Sequence, residues 1–173
     1  MENIKQNILS GKIFIYPTDT LYGIGCDATN REAVNKIKEI KLRDRDKPLS
    51  VIAPSIAWIK ENCIIDVDLK RYLPGSYTII LKKKDPSFLS HVSDSETIGI
   101  RIPANEFTKE IQKSGVPFIT TSVNLSGEPF TLSIKDIKKE ILDKVDVIIS
   151  AENENQLSGK PSTLIINGKE IIR

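Results

Sequence analysis

Four cations stand at alternate positions, Lys41, Arg43, Arg45 and Lys47, with Asp44 and Asp46 between them. The stretch carries +2, the formal charge of the whole 173-residue chain, so the remaining residues sum to zero. Clustered cations at an element boundary can hold a phosphate or another polyanion, the guanidinium through paired N–H donors and the ammonium as a point charge. The competing reading is a solvated helix end, where the helix macrodipole alone favours cations. Hydroxyls recur at the ends of apolar runs: Thr18 and Thr20, then Thr120, Thr121 and Ser122 with Asn124, then Ser162 and Thr163. Each alone is an ordinary polar strand terminus. Gathered with Arg101, they would line one crevice at strand ends, where α/β sheets bind ligands. The residue types point to a phosphate- or nucleotide-binding enzyme and no further.

Other chemistries find no support. Cys26 and Cys63 form no CxxC pair, and two thiols with the lone His91 far from both make no zinc site. No serine or cysteine with an acidic partner surrounds His91, which argues against a triad hydrolase. Gly159-Lys160 lacks the glycine five positions earlier that a Walker loop requires. Gly23-Ile24-Gly25-Cys26-Asp27-Ala28 fits G-x-G-x-x-A, but Pro17 to Tyr22 intervene after the strand and no helix opens there. A pI near 8.4 is only mildly basic, short of a dedicated nucleic-acid binder. Met1 to Gln6 hold no apolar leader and no run reaches membrane-spanning length, so the expected location is the cytoplasm.

The elements that must position these groups follow from periodicity. Ile4 and Ile8 predict a helix over 2–10 that Gly11 ends, and residues 13–16 a buried strand closed by Pro17. Residues 18–28 read as a loop rich in hydroxyls and glycines. Asn30 caps a helix with Ala33, Val34, Ile37 and Ile40 on one face, ending in the cationic stretch. Further strands are expected over 49–53, 77–81, 97–103, 118–122, 145–149 and 163–166. Short helices are expected over 54–62, 66–73, around Phe107 and Ile111, and from Ser133 through Ile141. Lys82-Lys83-Lys84 reads as a basic turn. Interleaved strands and short helices favour one layered α/β domain with a mixed sheet over a strict doubly wound fold.

These segments, in this order, resemble the threonylcarbamoyl-AMP synthase family, the YrdC-type domain in its short form. The matching pieces are Pro17 to Gly25, the K-x-R of Lys41-Leu42-Arg43 followed by Lys47-Pro48-Leu49, Pro74 to Thr78, Thr97 to Pro103, Thr120 to Gly127, Pro161 to Ile165 and Ile171 to Arg173. The resemblance implies a single domain over 1–173: α/β (α+β), three layers, a mixed twisted sheet of about seven strands with helices on both sides, around an open basic cavity. It implies that L-threonine, bicarbonate and ATP, with Mg2+, give L-threonylcarbamoyladenylate and pyrophosphate for tRNA modification, handed to downstream transferase proteins. Carried over by position, Lys41 and Arg43 are catalytic. Lys47, Thr97, Thr120, Ser122, Asn124 and Arg173 serve ATP, and Thr18, Thr20, Arg101 and Ser162 serve threonine. The metal ligands are unassigned. Asp44 stands where the family has proline, and two roles stay open for it and Asp46: neutralising the cations or assisting the metal. A paralogue of the same fold without this activity (the YciO-like branch), or a double-stranded RNA- or tRNA-binding module, is the alternative.

Overall fold

In a computed structural model that describes residues 3–44, 46–151 and 157–172, helices alternate with strands along the chain. The helices are α1 (Ile4–Leu9), α2 (Arg31–Ile40), α3 (Ile56–Asn62), α4 (Glu106–Ser114) and α5 (Lys139–Leu142). The strands are β1 (Phe14–Pro17), β2 (Tyr22–Gly25), β3 (Ser50–Ile52), β4 (Cys63–Ile64), β5 (Tyr77–Lys83), β6 (Thr97–Arg101), β7 (Phe118–Ser122), β8 (Val147–Ile148), β9 (Thr163–Ile166) and β10 (Lys169–Ile171). They form one mixed sheet in the order β10-β9-β5-β6-β3-β7-β2-β1-β8, with β4 on β5. The pairs β1–β8, β3–β6 and β5–β9 are parallel and the rest antiparallel. The sheet therefore has ten strands among the described residues, not seven. None of the described helices is long and apolar enough to cross a membrane.

Strand alternation produces the three layers. Phe14, Tyr16, Ile52 and Phe118 project to one face and pack with Ile8 of α1 and Phe107 and Ile111 of α4. Ile13, Ile15, Val51 and Ile119, one residue out of phase, project to the other face against the Val34–Ile37–Ile40 stripe of α2 and Ile59 of α3. On the first face Tyr16 and Phe107 pack with ring centroids 4.6 Å apart, and Phe118 meets Phe14, Tyr16 and Phe107 edge-on. The helix ends behave as their sequences require. The side chains of Asn3, Asn30, Ser55 and Asn105 each accept a backbone N–H at the start of α1, α2, α3 and α4, and Gly115 ends α4 at φ +76°. Trp58, the chain's single tryptophan, is half-buried on α3 with its ring 5.7 Å from Phe88, beside β4.

Four segments depart from the expectation. Residues 18–28 are not all loop, because Tyr22–Gly25 form β2. The glycines hid this strand while making it possible: a Cβ at Gly25 would lie 2.0 Å from the Ile119 carbonyl oxygen, and one at Gly23 would press on the Tyr16 ring at 2.9 Å. Residues 66–73 form only a short 3-10 turn, Leu69–Arg71, capped by Asp68. The helix expected from Ser133 is broken by an extended Ile137 into a 3-10 turn, Ile134–Asp136, and α5. The basic turn is mostly strand. Lys83 is buried with its ammonium donating to the carbonyls of Pro86, Phe88 and Ser93, Lys82 pairs with Glu96, and Lys84 donates to Lys60 O.

Candidate active-site cavity

The K-x-R spacing is set by how α2 ends. Lys41 is the C-cap, Leu42 follows in the left-handed region at φ +51°, and two bonds close the turn: Leu42 N–H to Glu39 O and Arg43 N–H to Lys38 O. This is the Schellman arrangement, with leucine where glycine is usual. The turn leaves Leu42 73% exposed and sends its neighbours the other way, into the walls of a cavity of about 480 Å³. The solvated-end reading therefore fails for Lys41 and Arg43.

Lys41 is buried, and its ammonium donates to the carbonyls of Ser122 and Asn124, the latter at 2.6 Å. Its own carbonyl accepts Ser126 N–H at 3.0 Å. Burial, with Arg43 nearby adding repulsion, lowers its pKa to about 8. Arg43 donates to Pro48 O at 2.8 Å, and its Nε is buried with no partner among the described residues. Burial lowers its pKa too. Lys47 is exposed at the cavity edge. Asp44 holds the turn: its side chain accepts Asp46 N–H and its carbonyl accepts Lys47 N–H.

Facing this wall, Ser122 at the end of β7 donates to Asn124 Oδ1, and Asn124 Nδ2 donates to Leu125 O and Glu128 O. Glu128 lines the mouth and is paired with Lys138. Thr120 lies deeper along β7. At the other end, Thr18 Oγ1 binds the loop it starts, accepting Thr20 and Leu21 N–H and meeting Thr20 Oγ1 at 2.8 Å. Arg101, from the end of β6, is 7% exposed and donates to Asp19 Oδ1 at 2.7 Å. Asp19 Oδ2 accepts Ala104 N–H. Burial pulls the Arg101 pKa down and Asp19 pulls it up, while its Nε has no partner among the described residues. Ser162 meets Thr78 hydroxyl to hydroxyl at 2.7 Å.

The cavity thus gathers Thr18, Thr20, Lys41, Arg43, Lys47 and Arg101, with Thr120, Ser122, Asn124 and Ser162. It does not gather Thr97. That residue opens β6 on the face that carries Arg101, but four positions earlier, and its hydroxyl lies 3.1 Å from Ser95 Oγ. Arg173 and Arg45 lie outside the described residues. The sequence reading missed Asp19, Ser50 and Thr78. Ser50 could have been found from Gly99, its register partner, where a Cβ would lie 2.3 Å from Ser50 Oγ. His91 holds Ala28 O with a ring nitrogen and takes no part in the cavity walls.

This arrangement is familiar from other proteins. A family model described as telomere recombination, Sua5/YciO/YrdC, matches residues 6–173. A Methanocaldococcus jannaschii protein named "Putative threonylcarbamoyl-AMP synthase" is 40% identical over 169 residues, 95% of this chain and 79% of that protein. The solved structure of P. abyssi Sua5 complexed with L-threonine matches with a TM-score of 0.79 at 28% identity, over 93% of this chain. The match spans 48% of that chain, so this chain corresponds to about half of it. E. coli YciO matches with a TM-score of 0.76 at 29% identity, over 94% of this chain and 82% of that one.

Proposed function

Because the chain belongs to the Sua5/YciO/YrdC family, we propose that it is an L-threonylcarbamoyladenylate synthase, a nucleotidyltransferase using ATP, L-threonine and bicarbonate. The observation that carries this reading is a single cavity with two differently compensated ends. At one end Lys41 and Arg43 donate to backbone carbonyls and, among the described residues, form no ion pair, with Lys47 exposed beside them, which suits a triphosphate. At the other end Arg101 and Asp19 make a nearly neutral pair beside hydroxyls, which suits a zwitterionic amino acid.

In the reaction the threonine ammonium loses a proton to solvent, and the free amine takes up carbon dioxide from bicarbonate, forming an N–C bond with overall release of water. A carbamate oxygen then attacks the α-phosphorus of ATP, forming an O–P bond as the bond to pyrophosphate breaks. The attacking oxygen is already anionic, so that step needs no deprotonating base. The protein must hold two anions in line and offset their repulsion. Arg43 and Lys47 meet the phosphates, with Ser122 and Asn124 beside them and Thr120 near the carbamate; the ATP role expected of Arg173 falls outside the described residues. Arg101, steadied by Asp19, orients the threonine carboxylate among Thr18, Thr20 and Ser162. Among the described residues no three metal-ligating side chains cluster, and Glu128 is the one carboxylate on the cavity wall. That donor set fits magnesium carried on the phosphates, with Glu128 and a wall hydroxyl as its protein contacts. When bound there, it supplies charge neutralisation.

Purified protein with ATP, bicarbonate and magnesium should release pyrophosphate only when threonine is added. Release equal to that of a no-threonine control would overturn the reading. The likeness to E. coli YciO favours a second one, the same fold with another activity, and the same assay separates the two. Delivery of the adenylate to a tRNA-modifying transferase, in the cytoplasm, follows from the first reading.

A further inference from the structure

Resting on the cavity's reading as an ATP site, we infer that Lys41 is a positioning residue: its ammonium shapes the 122–127 loop that receives the phosphates, and does not itself grip them. Three contacts carry this. The ammonium donates to Ser122 O and Asn124 O, and the Lys41 carbonyl accepts Ser126 N–H, so one residue fastens the loop at three points. An ammonium has three donors; two are committed before any ligand arrives.

Holding both carbonyls on the inner side sets the peptides between them, and with them the Ser122 and Asn124 side chains on the cavity wall. The residue is 2% exposed and caps α2, so moving the ammonium to a phosphate would take the Lys41 donor from the buried Asn124 carbonyl and leave Ser122 O with Asn124 N–H in its place. Arg43 and Lys47 are placed differently. Arg43 spends one bond on Pro48 O and keeps a buried Nε with no partner among the described residues, and Lys47 is exposed. These two supply the charge that phosphates meet, and Lys41 supplies the shape.

The roles separate in protein without nucleotide. In Lys41→Met the loop loses its fastening whether or not ATP is present. Amide hydrogen exchange across 122–127 should quicken about tenfold or more in the apo variant, while β1 and α4 exchange as before. In turnover, kcat should fall about 100-fold with the threonine KM within about twofold. Unchanged loop exchange in apo Lys41→Met, with tight ATP binding lost, would overturn the inference in favour of direct phosphate contact. Should the variant not fold, wild-type protein labelled with 15N-lysine decides. Lys41 ammonium protons that exchange slowly before ATP is added support positioning, and protons that become slow only with ATP refute it. None of the apo readouts depends on turnover. Loop loosening in a protein without threonine-dependent pyrophosphate release would therefore uphold the inference and sink the synthase reading, and the reverse pattern would do the opposite.

Discussion

The two ends of the cavity handle buried positive charge in opposite ways. Arg101 meets a carboxylate, Asp19, with both side chains nearly covered at 8% and 13% exposure. Among the described residues Lys41 and Arg43 meet carbonyl oxygens and no carboxylate, and carbonyls share hydrogen bonds without cancelling charge. A compensated cation orients; an uncompensated one attracts. The first suits a ligand whose own charges nearly cancel, the second one with several negative charges and none positive.

The largest effect is expected at the compensated end. Asp19→Asn strands the Arg101 charge, and breaking a buried pair typically costs about 3–5 kcal/mol. Chemical denaturation should show a loss near the lower figure, with the threonine KM raised about tenfold. A loss under about 1 kcal/mol with unchanged KM would erase the distinction between the ends. Next, Arg43→Ala should cut kcat/KM about 100-fold in the pyrophosphate assay while stability shifts little, because its partner is a single carbonyl. Intact turnover would remove the uncompensated end from the chemistry.

Smaller effects sharpen the contrast. Lys41 has its pKa lowered to about 8 from an ordinary 10.5. Between those values the unfolded chain holds a proton that the folded chain has shed, so the contribution of Lys41 to stability rises with pH across that window and is flat below it. Relative to Lys41→Met, the wild-type denaturation midpoint should climb from pH 8 to pH 10.5. A falling difference would mean that the carbonyls hold the ammonium more firmly than burial opposes it. Smallest is Leu42→Gly, which relieves the left-handed backbone at an exposed position. It should stabilise by about 0.5–1 kcal/mol, measured by thermal denaturation, with turnover unchanged.

What the sequence revealed and what it hid follow from range. The α2 face, the asparagine cap and the β7 run were legible because spacing along the chain determines them. The inward turn of Lys41 was half legible: the charges were visible, but leucine at 42 masks a turn that glycine would have announced. β2 was hidden because its glycines answer to Tyr16 and Ile119, which approach from other strands. Lys83 read as part of a basic turn because its three carbonyl partners lie in the following loop, whose path periodicity does not describe. Thr97 and Arg101 share a strand face, yet the cavity covers only one end of it. Asp19 lay within the quoted motif, but its importance appears only when β6 brings Arg101 against it.

Trp58 decides what optical experiments on this protein can report. Tilted against Phe88 beside β4, it does not line the cavity described above. Its emission is therefore a gauge of the β4–β5 edge, and should shift to the red when that edge melts. Filling the cavity alone should leave the spectrum unchanged. A nucleotide-induced change in its emission would thus measure movement carried across the sheet, from the strands that hold the ligand to the strand that does not.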